Sequence, residues 1–152
     1  MLDGLEALHN NGTYHRDMKA ENLFIDEQFN LKIGDFGFSK NAAQGDEDGM
    51  FITQLGTPGY MAPEIILGQP YFGHHVDIFA SGVILFVMIA RGQPFGQASP
   101  RDKHYKTLAM GKSENFWGMH VEMQEDGNIF DDDFRNLCEG IWSLDPNNRI
   151  TL

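Results

Sequence analysis

The stretch HVDIFASGVILFVMIARG, His75 to Gly92, constrains this chain most, because over eighteen residues only Asp77 and Arg91 carry a fixed charge. A helix that is apolar on every side for several turns must be covered all round, so it belongs in the middle of a fold as its central pillar. Its longest wholly apolar run, Val83 to Ala90, falls far below the roughly 20 residues needed to cross a bilayer. No membrane span is therefore expected, and the remaining elements must wrap this one.

Those elements can be read from spacing. Met1, Leu2, Leu5 and Leu8 recur at helical intervals, and HNNG, His9 to Gly12, supplies the Asn and Gly that commonly end a helix. NLFID and NLKIGD are short apolar segments separated by polar residues, which predicts a small antiparallel pair without a tight Asn-Gly turn. Lys40 to Gly49, KNAAQGDEDG, has almost no apolar content and reads as a mobile acidic loop. GQPFGQASP interrupts the pattern after the central helix, and a more polar helical segment runs through DKHYKTLAM. In DDDFRNLCEGIWSLDP, Phe134, Leu137, Cys138, Ile141 and Trp142 are expected on one helical stripe, with Asp131 to Asp133 at its N-terminus. No internal repeat or Ser/Gly/Pro linker divides the chain.

A chain of 152 residues has room for one domain or one lobe of something larger. Its 22 acidic against 11 basic side chains give a net charge of −11, which disfavours nucleic acid and anionic surfaces and suits a cationic partner such as a basic peptide. The same excess also serves solubility alone. Cys138 is the one cysteine, so neither an intrachain disulfide nor a cysteine-based zinc site can form, which fits a reducing compartment. With no basic n-region and apolar h-region at the start, a soluble, cytoplasmic protein is expected. GDEDG and EDGNIFDDD lack the ligand spacing of a calcium-binding loop. The adjacent His74 and His75 cannot share a helix face, so they make a poor metal site.

Chemistry concentrates in TYHRDMKAEN, Thr13 to Asn22, which crowds a histidine, an arginine, two carboxylates, a lysine and a carboxamide into one loop. Taken singly, Asp17 and Asn22 read as turn residues that bond their own backbone. Further on come GDFG, Gly34 to Gly37, and GTPGYMAPE, Gly56 to Glu64. In this order the three stretches resemble the catalytic loop, metal loop and activation-segment end of protein kinases. The complete H-R-D-x-K-x-x-N pattern, from His15 to Asn22, makes the resemblance specific, and it runs from Met1 to Leu152. The flavour is closest to the calcium/calmodulin-dependent and related kinases.

The resemblance implies an α+β, mostly α-helical fold: the C-terminal lobe of a kinase with a small two-stranded element. It implies Mg-ATP as cofactor and Ser/Thr of proteins as acceptor. Asp17 would be the base, Lys19 would contact the transferred phosphate, and Asn22 and Asp35 would ligate magnesium through hard oxygens. Phe24 would face the adenine. Arg16 is similar to the arginine that pairs with a phosphorylated activation-loop residue, for which Thr53 stands in the usual place, although a solvated loop threonine is the alternative. Glu21 would meet a basic residue of the substrate, and Thr57 would bond Asp17 and Lys19. The structural roles implied are a stacked column for His15 and Phe36, a backbone anchor for Asp77, and a buried ion pair for Glu64 with Arg149. Phe79 stands where the family usually has tryptophan.

The family's Gly-rich loop, strand lysine and helix glutamate lie upstream of the catalytic loop, and only one helix precedes His15. Residues 1–152 are thus expected to be a partial kinase domain with the N-terminal lobe absent. Weak nucleotide binding by the isolated chain is expected. The competing expectation is an inert lobe that binds substrates or regulators.

Overall fold

The apolar run forms α3, Gly73–Ala90, at the centre of a computed structural model that describes residues 1–45, 49–125 and 127–152. By length and composition α3 could cross a membrane, but 72% of it is buried inside the fold. Phe79, Val83, Ile84 and Phe86 are wholly enclosed, and only its last turn, with Met88 and Ile89, reaches the surface. The apolarity on all sides is therefore accounted for by packing.

Around this pillar run α1, Leu2–Asn10; β1, Thr13–Tyr14; β2, Leu23–Ile25; β3, Leu31–Ile33; and β4, Lys40–Asn41. The helices α2, Pro63–Ile66; α4, Lys103–Ala109; α5, Ser113–Glu122; and α6, Asp132–Ile141 complete the order. The expected antiparallel pair is β2 with β3, in the register Leu23 to Ile33, Phe24 to Lys32 and Ile25 to Leu31. The fold is mostly helical, as the sequence predicts.

A second antiparallel pair corrects the expectation for Lys40 to Gly49. Thr13 pairs with Asn41 and Tyr14 with Lys40, and Asn41 then caps a turn over Ala42–Gln44 in a reciprocal capping box. Long-range pairing overrides local polarity here, because β1 offers an unpaired edge to a segment with few apolar residues of its own. Asp46 to Asp48, the acidic part of that loop, lie outside the described residues, as does Asp126.

At α6 the stripe forms, and Asp131 accepts from the Phe134 amide at 2.7 Å to cap the helix. Cys138, Ile141 and Trp142 are buried, whereas Leu137 is 40% exposed. At about 100° per residue it falls at the edge of the stripe that its neighbours centre. Burial pushes the Cys138 thiol up to about 12, so it stays protonated. Neither α2 nor α5 was expected. Phe116, Trp117 and His120 of α5 close on Phe86 of α3, within 6.2 Å between ring centroids.

His120 sits at 2.8 Å from the Pro94 carbonyl, to which it donates when neutral. Burial pushes His120 and His74 down to about 4. An unfolded imidazole titrates near ~6.5, so below that pH the unfolded chain binds more protons than the folded one. Stability should fall as pH drops from about 6.5 and level off near 4. Denaturant midpoints at pH 7 and pH 5 check this: equal midpoints would refute it.

Candidate active site

The end of α1 and the start of α3 fix the loop between them. Asp77, in the first turns of α3 and 1% exposed, accepts from the backbone amides of His15 at 2.9 Å and Arg16 at 2.7 Å. His9, in the last turn of α1, reaches the same carboxylate at 3.0 Å. These bonds hold Arg16 at a φ of 64°, a left-handed conformation that a non-glycine residue rarely adopts unless its surroundings impose it. Sequence reasoning treated His9 only as part of a helix stop and missed this contact.

His15 is buried and its ring meets Phe36 at 5.2 Å between centroids. One ring nitrogen lies 2.9 Å from the Gly34 carbonyl and the other 3.3 Å from the Asp17 amide. The neutral tautomer protonated at Nε2 satisfies both, since it donates to the carbonyl and accepts from the amide.

The loop then presents its charges. Lys19 Nζ donates to Asp17 Oδ2 at 2.7 Å and to Thr57 Oγ1 at 3.1 Å, while Thr57 donates to Asp17 Oδ1 at 2.9 Å. The hydrogen bond to Asp17 holds the Lys19 ammonium above its usual range, and the charges of Asp17, Glu21 and Asp35 add to this against desolvation. Gly56, at a φ of 123°, lets the backbone next to Thr57 pass close to the loop: a Cβ there would come within 3.4 Å of the Arg16 carbonyl. Behind Asp17 remains a cavity of about 10 Å³ between Thr57, Tyr60 and Asp77. That is room for about one water, so the loop rests on a filled floor.

Asn22 is 4% exposed and donates through Nδ2 to the Asp17 carbonyl at 2.9 Å. Its Oδ1 accepts no hydrogen bond among the described residues. The Asn22 carbonyl accepts from the Gly34 amide at 2.9 Å. Both backbone groups of Gly34 are thus tied to the loop, which sets the position of the next residue, Asp35. Asp35 is exposed, has a φ of 57° and accepts from the Gly37 amide. The Asn22 amide oxygen, with its nitrogen engaged, and the exposed Asp35 carboxylate are each hard-oxygen donors of the kind magnesium takes. Among the described residues no group of three His, Cys, Asp or Glu could hold a metal alone.

Other residues named from the sequence stand apart from this network. Phe24 is 55% exposed on β2, with its ring so close over Gly34 that a Cβ there would meet it at 2.7 Å. Glu21 is exposed, and its charge adds to the burial that pushes the Tyr60 phenol up. The Thr53 side chain is exposed, while its carbonyl accepts from Tyr71 Oη at 2.9 Å. Glu64 on α2 and Arg149 form a two-armed ion pair at 2.6 and 2.8 Å. The Arg149 guanidinium also lies 5.1 Å over the ring of Phe79.

Fold and site together define a mostly helical, kinase-like arrangement, with its charged loop backed by a buried helix. The protein kinase domain model matches residues 1–152, and the chain belongs to the protein kinase family. CBL-interacting protein kinase 28 of Oryza sativa subsp. japonica is 34% identical over 152 residues, spanning 100% of this chain and 32% of the relative. CBL-interacting protein kinase 10 of the same organism is 38% identical over 156 residues, with 100% and 31% covered. CBL-interacting serine/threonine-protein kinase 19 of Arabidopsis thaliana is 47% identical over 95 residues, with 62% and 20% covered. The chain spans about a third of the length of the first two of these relatives.

Proposed function

We propose that this chain is the acceptor-positioning part of a protein serine/threonine kinase. The observation that carries the proposal is the closed network of Asp17, Lys19 and Thr57, which joins the charged loop to the segment before α2. Asp17 is the group that orients the acceptor hydroxyl and takes its proton, with both its oxygens already held in place. Lys19 lies one bond from that carboxylate, where a cation offsets charge on a phosphate being transferred. Mg-ATP supplies the phosphoryl group and the divalent charge, and Asn22 and Asp35 are the oxygens that would hold the ion. Phe24, exposed beside Gly34, is the residue proposed for the adenine.

Substrate preference follows from charge. Glu21 is exposed close to the loop, and the net charge of −11 draws cationic peptides. Thr53, whose backbone is joined to Arg16 through Tyr71, is the proposed phosphorylation site, since a new dianion there would be attracted to that arginine.

The test uses the kinase that contains this chain, Mg-ATP and an array of Ser, Thr and Tyr peptides with and without upstream Arg or Lys. Transfer to Ser and Thr with a basic preference is expected. Transfer to Tyr alone, or none with any peptide, would overturn the proposal, and the latter outcome would leave a binding lobe.

A further inference from the structure

Arg16 is 4% exposed, so its charge must be satisfied inside the protein. Nε donates to the Phe38 carbonyl at 2.9 Å, and the guanidinium carbon lies 4.8 Å over the Phe51 ring. Nη1 reaches Tyr71 Oη at 3.4 Å. Tyr71 Oη in turn donates to the Thr53 carbonyl at 2.9 Å. Phe51 and Tyr71 are also joined by two backbone hydrogen bonds, at 2.8 and 2.9 Å. Among the described residues every partner of this guanidinium is neutral, and three of the residues involved, Phe38, Phe51 and Thr53, belong to the segment between Asp35 and Glu64.

We infer that Tyr71 is a positioning residue whose hydroxyl tethers the unphosphorylated segment to Arg16, and so to the residue preceding Asp17. The hydroxyl is suited to this because it accepts from the cation and donates to the carbonyl at once, and its burial, 3% exposed, removes competition from water. The tether uses the Thr53 main chain, leaving that side chain free. A phosphate on Thr53 would compete with the phenol for Arg16, so the tether sets the ground state from which such a modification acts. This inference rests on the reading of Asp35 to Glu64 as an activation segment, but its test measures order and not catalysis.

Amide hydrogen exchange of this chain checks it. Tyr71→Phe keeps the ring and the backbone pairing and deletes only the hydroxyl. Exchange across residues 51–57 should quicken about fivefold, the effect of one ordinary net hydrogen bond, with the melting temperature lowered by no more than a few degrees. Thr53→Ala should leave the segment as it is. The Arg16 Nη–H resonances should be protected in the parent chain and shift in Tyr71→Phe. Unchanged exchange in Tyr71→Phe, equal loosening by Thr53→Ala, or Arg16 Nη–H groups unperturbed by Tyr71→Phe would each overturn the tether. A phosphorylated Thr53 that leaves Arg16 unperturbed would instead sink the Thr53 proposal and leave the tether standing.

Discussion

Asp17→Asn is expected to lower the turnover number for peptide phosphorylation by about 10²–10⁴-fold in the kinase that contains this chain, the range that a positioned general base supplies. The substitution is close to isosteric. Its amide oxygen can still face Lys19 Nζ, now 2.7 Å from Asp17 Oδ2, and its nitrogen can donate to Thr57 Oγ1 in place of the bond at 2.9 Å. The backbone anchors on Asp77 are untouched, so the melting temperature should stay close to that of the parent. What is lost is the basic carboxylate and its negative charge beside Lys19. Steady-state kinetics with KM for ATP and kcat measured separately will show the effect in kcat. Full activity in Asp17→Asn would remove Asp17 from the chemistry.

The second large effect concerns stability. Arg149→Ala should cost about 3–5 kcal/mol, the penalty for leaving one partner of a buried ion pair uncompensated. Glu64 is 5% exposed and would be left buried with both Arg149 bonds gone. The bonds from Arg149 to the Ser143 and His75 carbonyls disappear as well, and the Phe79 ring loses the cation above it. For a domain of this size the melting temperature should drop by roughly 10 °C. Replacing both partners with apolar residues, Glu64→Leu with Arg149→Met, should recover much of the loss, because neither charge is then stranded. A double variant as unstable as Arg149→Ala would show that the hydrogen bonds to the carbonyls matter more than the charge. Phe79, at the position where the resemblance expects tryptophan, offers its ring face to the Arg149 guanidinium.

Short-range pattern made much of the fold legible. The end of α1, the β2–β3 pair, the existence of α3 and the cap of α6 all depend on neighbours within a few positions, and spacing reports those directly, although α3 runs Gly73–Ala90 and not His75 to Gly92. The candidate site was legible for another reason: three motifs in one order named Asp17, Lys19, Asn22 and Asp35. Those motifs did not reveal the contacts made by His9 or Tyr71. His9 and Asp77 are 68 positions apart, and Tyr71 and Arg16 are 55 apart, so no local period connects them. The β1–β4 pair was hidden in the same way, since the polarity of Lys40 to Gln44 signals a loop until an unpaired strand edge is brought beside it.

The sequence by itself determined which residues carry charge, and that one helix had to be covered all round, because an apolar surface on every side is stable only where water is excluded. Tertiary structure alone decided how that centre acts on the loop. α3 carries Asp77 to the His15 and Arg16 amides and brings Glu64 and Arg149 together in a site shielded from water. Such contacts follow from which surfaces meet once the chain is compact, and that depends on packing across the whole fold.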